Sequence, residues 1–197
     1  MTRTIQNAMK PACLLVLVCL TAGCASTAPL QKDEKYPAAW PDLSSLGADG
    51  RGLDGSYANE GSAAGDAGPA ILLTSILPKT IKVGPSDAKV VSLKIVPGKP
   101  DAHGNSQARL QITLQGDVRF HYECDCFCVN GNVAYVQSSG GGAFAVAAAF
   151  GQSNVTLSKA VDGSLIAKIF SDTAGIILIV PFYSSSHVWA RFPRIGD

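Results

Sequence analysis

The chain has 197 residues, of which 47% are apolar and 16% are charged, and its formal net charge at pH 7 is +1. This length and composition fit one domain with a sizeable hydrophobic core, and they exclude a disordered polyelectrolyte. The near-neutral charge, without a basic cluster, excludes the electrostatic footprint that binding to a phosphate backbone requires, so no nucleic acid partner is expected.

The first 23 residues have the organisation of an export signal. Arg3 and Lys10 form a positive N-terminal region, and the apolar stretch from Ala12 to Leu20 has the length of a signal-peptide hydrophobic region. It is too short to cross the ~30 Å hydrocarbon core of a bilayer as a helix. Removal of residues 1–23 changes the net charge to −1, because two basic residues leave with them.

The end of this segment, Leu20–Cys24 (LTAGC), resembles the lipobox of bacterial lipoproteins, in which small residues precede a cysteine that is lipidated and becomes the N-terminus. The resemblance implies that Cys24 carries acyl chains such as palmitate, which hold the protein at a membrane. It also implies the outer membrane, because Ala25 stands where an aspartate retains such proteins at the inner membrane. The alternative is a secretory signal cut after Ala25 or Ala28, which leaves a soluble periplasmic or secreted protein.

Residues 24–52 are rich in Pro, Gly, Asp and Lys and show no helical or strand period. This composition predicts a tether, which would follow the lipidated Cys24 that the resemblance implies and hold a folded domain away from the bilayer. Tyr36, Trp40 and Leu43 interrupt the polar composition, which favours docking of the tether on the domain over a peptide that binds a partner. The expected organisation is a signal peptide at 1–23, a tether at 24–52 and a single domain at 53–197.

From Leu53 onward the apolar residues alternate with period two, as in Val91–Ile95 and Leu110–Leu114, and Gly, Pro, Asn-Gly and Asp-Gly interrupt the alternation. This pattern is typical of an antiparallel sheet whose strands are buried on one face. It predicts a mainly β fold of about 9 to 11 strands, arranged as an up-and-down barrel or a two-layer sandwich.

The connections between these strands are predicted from their turn residues. Asn130-Gly131 and Asp162-Gly163 favour the positive φ angles of two-residue hairpin turns. Ser138–Gly142 is predicted as a flexible connection before a strand at 143–150. Pro69–Leu77 is the one predicted helix, because proline suits its first position and Pro78 follows its end.

One segment, Ile176–Phe182, is apolar on both faces. It predicts either a central strand that is covered on both sides, or a surface that meets a ligand, a partner or a membrane. Trp40, Tyr183 and Trp189 are further candidates for such an apolar surface.

The run His121–Cys128 contains three cysteines and one histidine, which are residue types that bind metals. In a strand, however, Cys124 and Cys128 lie about 13 Å apart at Cα, and His121 points to the opposite face. One zinc ion cannot collect these side chains.

Strand parity gives the cysteines a different role. Cys124, Cys126 and Cys128 continue the apolar face of Phe120 and Tyr122, so they are interpreted as small hydrophobic core residues. A two-residue turn at Asn130-Gly131 would place Cys128 opposite Val133 and Cys126 opposite Tyr135. A Cys-x-Cys disulfide at a bulge, with one thiol left free, and a copper(I) site of two or three thiolates are the alternatives.

The sequence contains no Gly-x-Ser-x-Gly, His-Glu-x-x-His, phosphate-binding loop or dinucleotide-binding motif. Asp54, Asp66, Glu123 and Asp162 are carboxylates that could meet in space, but no pattern selects two of them. We therefore predict a protein that is not an enzyme, with no catalytic residues and no cofactor.

Gly55-Ser56-Tyr57 near the start of the domain and Arg191 near its end resemble lipocalins, which place Gly-x-Trp on the first strand and an arginine on the last. The resemblance implies a barrel that binds a small apolar ligand, and a stacked pair of Tyr57 and Arg191.

Two functions follow as hypotheses. The first is an accessory envelope lipoprotein that contacts an envelope protein or the periplasmic face of the outer membrane through an apolar surface. The second is the lipocalin-like carrier, which needs an open-mouthed apolar cavity in place of a filled core.

Overall fold

A computed structural model describes eleven β-strands, one short helix and one 3-10 turn. It describes residues 30–64, 70–78, 88–99, 106–117, 119–129, 131–144, 147–178 and 180–196. The strands are β1 (Leu43–Ser44), β2 (Gly55–Ala58), β3 (Glu60–Ala63), β4 (Ala70–Leu72), β5 (Val90–Val96), β6 (Ser106–Gln115), β7 (Arg119–Val129), β8 (Asn132–Phe144), β9 (Ala147–Ala160), β10 (Leu165–Ile177) and β11 (Val180–Phe192). The helix α1 spans Leu73–Ile76, and the 3-10 turn spans Arg51–Leu53.

All the strands belong to one antiparallel sheet. Its order is β2-β5-β6-β7-β8-β9-β10-β11-β3-β4, and β1 pairs with β9 outside this path. The sheet curls into a half-barrel, so the predicted mainly β fold and the strand number are confirmed, and the barrel describes the architecture better than the sandwich does.

One end of the curled sheet, which we call the base, is closed. The segment after β11 returns to β2, where Tyr57 and Arg194 form an isolated antiparallel bridge. The backbone N–H of Ala58 donates to the carbonyl of Pro193 at 2.8 Å, and that of Ile195 donates to Ser56 at 2.8 Å. These bonds connect the segment after β11 to β2 at this end.

Away from the base, the sheet divides between β7 and β8. In the described part of the chain three residue pairs join these strands, and the last is Phe127 with Ala134. Strands β8 to β11 are each 13 or 14 residues long and continue beyond the base as a four-stranded sheet. We call this part the distal extension; it comprises 138–144, 147–153, 171–177 and 180–186.

Helix α1 packs where β7 and β8 separate. The Tyr135 hydroxyl donates to the carbonyl of Ile76 at 3.1 Å, and the Gln137 side chain donates to that of Ser75 at 2.9 Å. The helix is shorter than predicted, because residues 70–72 pair with β3 as a strand. Pro69 lies outside the described residues, and the predicted end is confirmed, since Leu77 is extended before Pro78.

The interior of the base is filled with side chains, and the alternating residues of β5 and β6 contribute as predicted. Val91, Leu93 and Ile95 are buried, while Lys94 between them is exposed. The other large buried core residues include Leu53, Tyr57, Leu73, Leu110, Ile112, Leu114, Leu157, Leu165 and Phe192. This packing comes from alternate residues of one sheet curled around its own apolar face.

A second, smaller cluster lies on the outer face of the sheet. It consists of Tyr36, Ala160, Ile166 and Trp189, with Leu30, Trp40, Leu43 and Ala64 packed against it. Residues 30–52, which we call the docked segment, therefore lie against the domain, as their aromatic residues predict. Leu46 of this segment is also buried in the main core.

The glycines of the two predicted hairpin turns have the expected positive φ angles, whereas the predicted flexible connection at 138–142 is a strand. Gly163 has φ +85° in the turn between β9 and β10, as predicted. Gly131 has φ +72°, and its partner Asn130 lies outside the described residues. Residues 138–142, however, are part of β8 and pair with β9.

The prediction of a flexible connection at the glycine run was wrong, because these residues pair with β9 and the Phe150 side chain covers Gly141. A Cβ on Gly141 would lie 3.4 Å from the Phe150 ring, so this ring covers the glycine. An aromatic side chain that covers a strand glycine compensates for its missing side chain. Pairing along β9 then keeps the glycine backbone extended.

Candidate functional site

The cysteine cluster lies in β7 and faces the main core, as strand parity predicts. Cys124 pairs with Leu110, and Cys126 with Ala108 on β6. Cys126 and Cys128 are buried, and Cys124 is partly buried against the same core. The cysteines thus occupy positions that apolar residues fill elsewhere in the sheet.

The predicted pairing across the β7–β8 hairpin was right at one position and wrong at the next. Cys128 lies opposite Val133. Cys126 does not lie opposite Tyr135, because the two strands separate after Phe127. Beyond this point Tyr135 of β8 bonds helix α1 through the carbonyl of Ile76 instead, which no sequence pattern indicated.

All three thiols are free, and their surroundings make them weak acids. Burial raises the pKa of Cys126 to about 12, with smaller contributions from Cys128 and Cys124. Burial also raises the pKa of Cys124 to about 11, and it raises that of Cys128. Thiols are nucleophiles and metal ligands only as thiolates, so these three are neutral and unreactive at physiological pH.

The part of the chain that the structure describes contains no group of three or more His, Cys, Asp or Glu side chains placed to hold one ion. His121 lies on the opposite face from the cysteines, where its Nδ1 is 2.9 Å from the Thr113 hydroxyl. The described geometry assigns the cysteines to the core.

The pair expected from the lipocalin resemblance does not form. Tyr57 points into the main core and donates its hydroxyl to the carbonyl of Leu53 at 2.7 Å. Arg191 lies on the other face of the sheet with Trp189, and its guanidinium pairs with Asp162 at 2.5 Å. The arginine that pairs with Tyr57 through the backbone bridge is Arg194.

The described carboxylates that the sequence left open each bond a different partner, although Asp54 and Glu123 line one surface pocket. Asp54 accepts a hydrogen bond from the backbone of Ile95 at 2.7 Å. Glu123 accepts one from Gln111 at 2.7 Å, and Asp162 is paired with Arg191. Each holds part of the sheet together; Asp66 lies outside the described residues.

Asp33 in the docked segment is the most strongly paired charge of the described chain. Its carboxylate lies 2.6 Å from Lys168 Nζ and 2.9 Å from His187 Nε2, and it accepts a hydrogen bond from the Trp189 indole at 3.0 Å. Burial alone would raise the pKa of Asp33, but the hydrogen bonds from Lys168 and Trp189 outweigh it and hold this pKa well below its usual range. Asp33 therefore fixes the docked segment to β10 and β11.

Aromatic contacts fix the docked segment beside this carboxylate. The Tyr36 ring meets the Trp189 ring edge to face at a centroid distance of 4.9 Å, and meets Trp40 at 5.7 Å. Trp189 is fully buried and Trp40 is partly buried, so neither adds to an exposed patch. Of the predicted candidates for an apolar surface, only Tyr183 and residues near it are exposed.

The exposed apolar residues are concentrated at the end of the distal extension. We call Ala148–Phe150 and the described residues of 174–183 the apolar tip. The exposed fractions of its large side chains are Phe150 55%, Ile176 49%, Ile177 50%, Leu178 63%, Val180 63% and Tyr183 69%. The alternative of a central strand covered on both sides is therefore wrong for Ile176–Phe182, because the chain turns at Leu178 and returns as β11.

Both faces of the sheet are apolar at the tip. Ile177 and Val180 share the inner face with Phe182, whose ring packs over Gly175. Ile176 and Tyr183 lie on the outer face. The sequence indicated the apolar hairpin of β10 and β11 but not the contribution of β8 and β9. The absence of charged side chains from residues 126–158 is a signal for this second hairpin.

No family model, curated protein or solved structure matches this chain. Among the described residues, no helix has both the length and the apolar character that crossing a membrane requires.

Proposed function

We propose that this protein is an accessory lipoprotein of the bacterial outer membrane, anchored through acyl chains on Cys24 and facing the periplasm, and that it is not an enzyme. Its β domain would bind an envelope component through the apolar tip. The observation that carries the proposal is the contrast between a filled base and an exposed apolar end on the same four strands. Cys24 itself lies outside the described residues.

The packing of the base favours this function over the lipocalin-like alternative. A carrier of small apolar ligands needs a cavity lined by apolar side chains. In the described part of the base, the corresponding space holds Tyr57, Leu110, Leu157 and Phe192, all of them fully buried. The apolar surface that is left for binding lies at the tip.

The proposal is tested by labelling bacteria that express the full chain with an alkyne analogue of palmitate. We expect label on the natural protein, none on Cys24→Ser, and unchanged label on Cys124→Ser, which serves as the matched control. Gradient separation of membranes should place the natural protein in the outer membrane and Ala25→Asp in the inner membrane. A natural protein without label would refute the anchor, and a stoichiometric small lipid in native mass spectra would favour the carrier.

A further inference from the structure

The distribution of polar residues in the distal extension depends on distance from the base and not on the face of the sheet. Residues 138–153 and 173–186 contain no Asp, Glu, Lys, Arg or His. Next to the base both faces carry Ser, Gln and Thr side chains, and at the tip both faces are apolar. A soluble sheet packed on one side would alternate between its faces, so this distribution matches a surrounding medium that changes with depth.

We propose that the apolar tip inserts shallowly into the lipid leaflet that holds the acyl chains of Cys24. This inference rests on the proposed function, and it names membrane lipid as what the tip contacts. Four observations support it. They are the direction of the docked segment, the reach of the chain before it, the length of the apolar rows at the tip and the exposure of both faces of the tip.

Between Leu43 and Asp33, the docked segment extends from the base toward the apolar tip. Leu43 pairs with Ala160 at the base. Asp33 contacts Lys168 and His187, which lie further along β10 and β11 toward the tip. Leu30 packs on the outer-face cluster of Ile166 and Trp189, so the chain before it starts from the outer face of β10 and β11.

The reach of the remaining chain matches the distance to the boundary of the apolar tip. Cys24 precedes Leu30, which packs on the outer-face cluster, by six residues that span at most about 20 Å. Ala174, in the last apolar row, follows Lys168 by six residues of strand, which also span about 20 Å. A lipidated Cys24 on an extended segment can thus reach the level of this row, where the membrane surface would lie.

The depth of insertion is limited by the edges of the sheet. The four apolar rows, from the pair Ile177–Val180 to the pair Ala174–Tyr183, extend over about 10 Å, less than half of the hydrocarbon core. In the described ladders β8 beyond Ala134 pairs only with β9, so its outer edge carries backbone groups that hydrocarbon would leave unsatisfied. We therefore expect the turn and the first rows to enter, with the rest among the headgroups.

Lipid explains the tip better than a protein partner or a pore does. A protein that docks on a sheet covers one face, whereas here Ile176 on the outer face and Ile177 on the inner face are equally exposed. A pore would require a polar face toward its water-filled channel. Tyr183, in the fourth row, donates its hydroxyl to Asp172 at 3.1 Å, and tyrosine at such a boundary is typical of membrane interfaces.

The test uses the purified full lipoprotein labelled with the environment-sensitive dye NBD at one introduced cysteine. Ile176→Cys and Ile177→Cys probe the two faces of the tip, and Val161→Cys is the matched control, because Val161 is an exposed apolar turn residue at the other end of β10. The unsubstituted protein gives the background from its own thiols. Vesicles contain phosphatidylethanolamine and phosphatidylglycerol, with or without lipids that carry a quencher on the acyl chain.

With vesicles, we expect blue-shifted NBD emission at positions 176 and 177, several-fold quenching by the acyl-chain quencher, and emission as in water at position 161. Water-like emission at both tip positions would overturn the inference. A blue shift without vesicles would show contact between copies of the chain. A shift at only one of the two tip positions would show a partner on one face. Leakage of a dye trapped inside the vesicles would show a pore, and each of these three results would also overturn the inference.

The mass of the purified protein separates this inference from the proposed function. Protein without the added mass of acyl chains refutes the anchor, and with it the shared leaflet. The NBD signal at 176 and 177, read with excess vesicles, still reports whether the tip itself contacts lipid.

Discussion

Strand β10 passes through both regions of the molecule, and its two halves are built differently. In the base, Leu165 and Ala167 point into the main core, while Ile166 between them packs under the docked segment. In the distal extension, Ile176 and Ile177 point to opposite faces and are both about half exposed. The first half is explained by the folding of this chain alone, whereas the second half ends in exposed apolar residues without a described partner.

The largest expected effect is the loss of core packing in the base. Leu165→Ala removes a fully buried side chain, so we expect the free energy of unfolding to fall by about 2 to 5 kcal/mol. Ile176→Ala, in the same strand, should change it by less than about 0.5 kcal/mol, because surface substitutions have small effects. Urea unfolding of both variants measures the difference. Similar losses would mean that the tip is packed in the isolated protein, which would remove the contrast between the two halves.

The sequence predicted the base well, because burial of one face imposes a period of two. Val91, Leu93 and Ile95 follow it without exception, and the turn at Gly163 needs the positive φ that glycine provides. The period fails where a strand has no core on either side. For that reason the glycine run from Gly140 was predicted as a connection, although pairing with β9 makes it a strand.

The candidate site was only partly predictable, because it depends on which hairpins lie side by side. The apolar character of Ile176–Phe182 was visible, and so was the alternative of an exposed surface. The contribution of Phe150 was not, since it depends on the pairing of β9 with β10, where Phe150 lies opposite Ala174. The docking of Asp33 on Lys168 likewise joins residues far apart in the chain, and no local pattern indicates it.

An intermediate effect is expected from the buried thiols of the base, and it depends on pH. The ordinary thiol pKa of 9.0 is raised to about 11 in Cys124 and about 12 in Cys126, because burial penalises the thiolate. The stabilisation is complete below the pKa of the unfolded chain and is lost as the pH rises toward the folded values. Between pH 8 and pH 10.5 we expect a loss of roughly 2 kcal/mol per thiol in the free energy of unfolding.

The double variant Cys124→Ala, Cys126→Ala is the control for this pH dependence. It starts from a lower stability, but it should lose less between the two pH values, since other groups such as Tyr57 titrate equally in both proteins. Urea midpoints of the two proteins at pH 8 and pH 10.5 give the comparison. Equal losses would show that the thiols do not titrate differently in the folded and unfolded chains, which would contradict their assignment to a desolvated core.

The smallest expected effect comes from Leu178, in the turn of the apolar tip. Its φ of +49° is in the left-handed region, which glycine adopts freely and a leucine adopts at a cost. Because this side chain is 63% exposed, Leu178→Gly should relieve strain, lose little packing and raise the free energy of unfolding by about 0.5 kcal/mol. Leu178→Ala keeps a Cβ and should leave it nearly unchanged.

The sign of the Leu178→Gly effect in urea unfolding decides between two explanations of this residue. If glycine stabilises the fold, leucine is unfavourable to the domain that contains it, and its presence at an exposed turn requires a reason outside the folding of this chain. Contact with lipid is such a reason, because a protruding aliphatic side chain gains by leaving water. If glycine destabilises the fold, Leu178 packs on its own hairpin, and the apolar tip would follow the same rules of burial as the base.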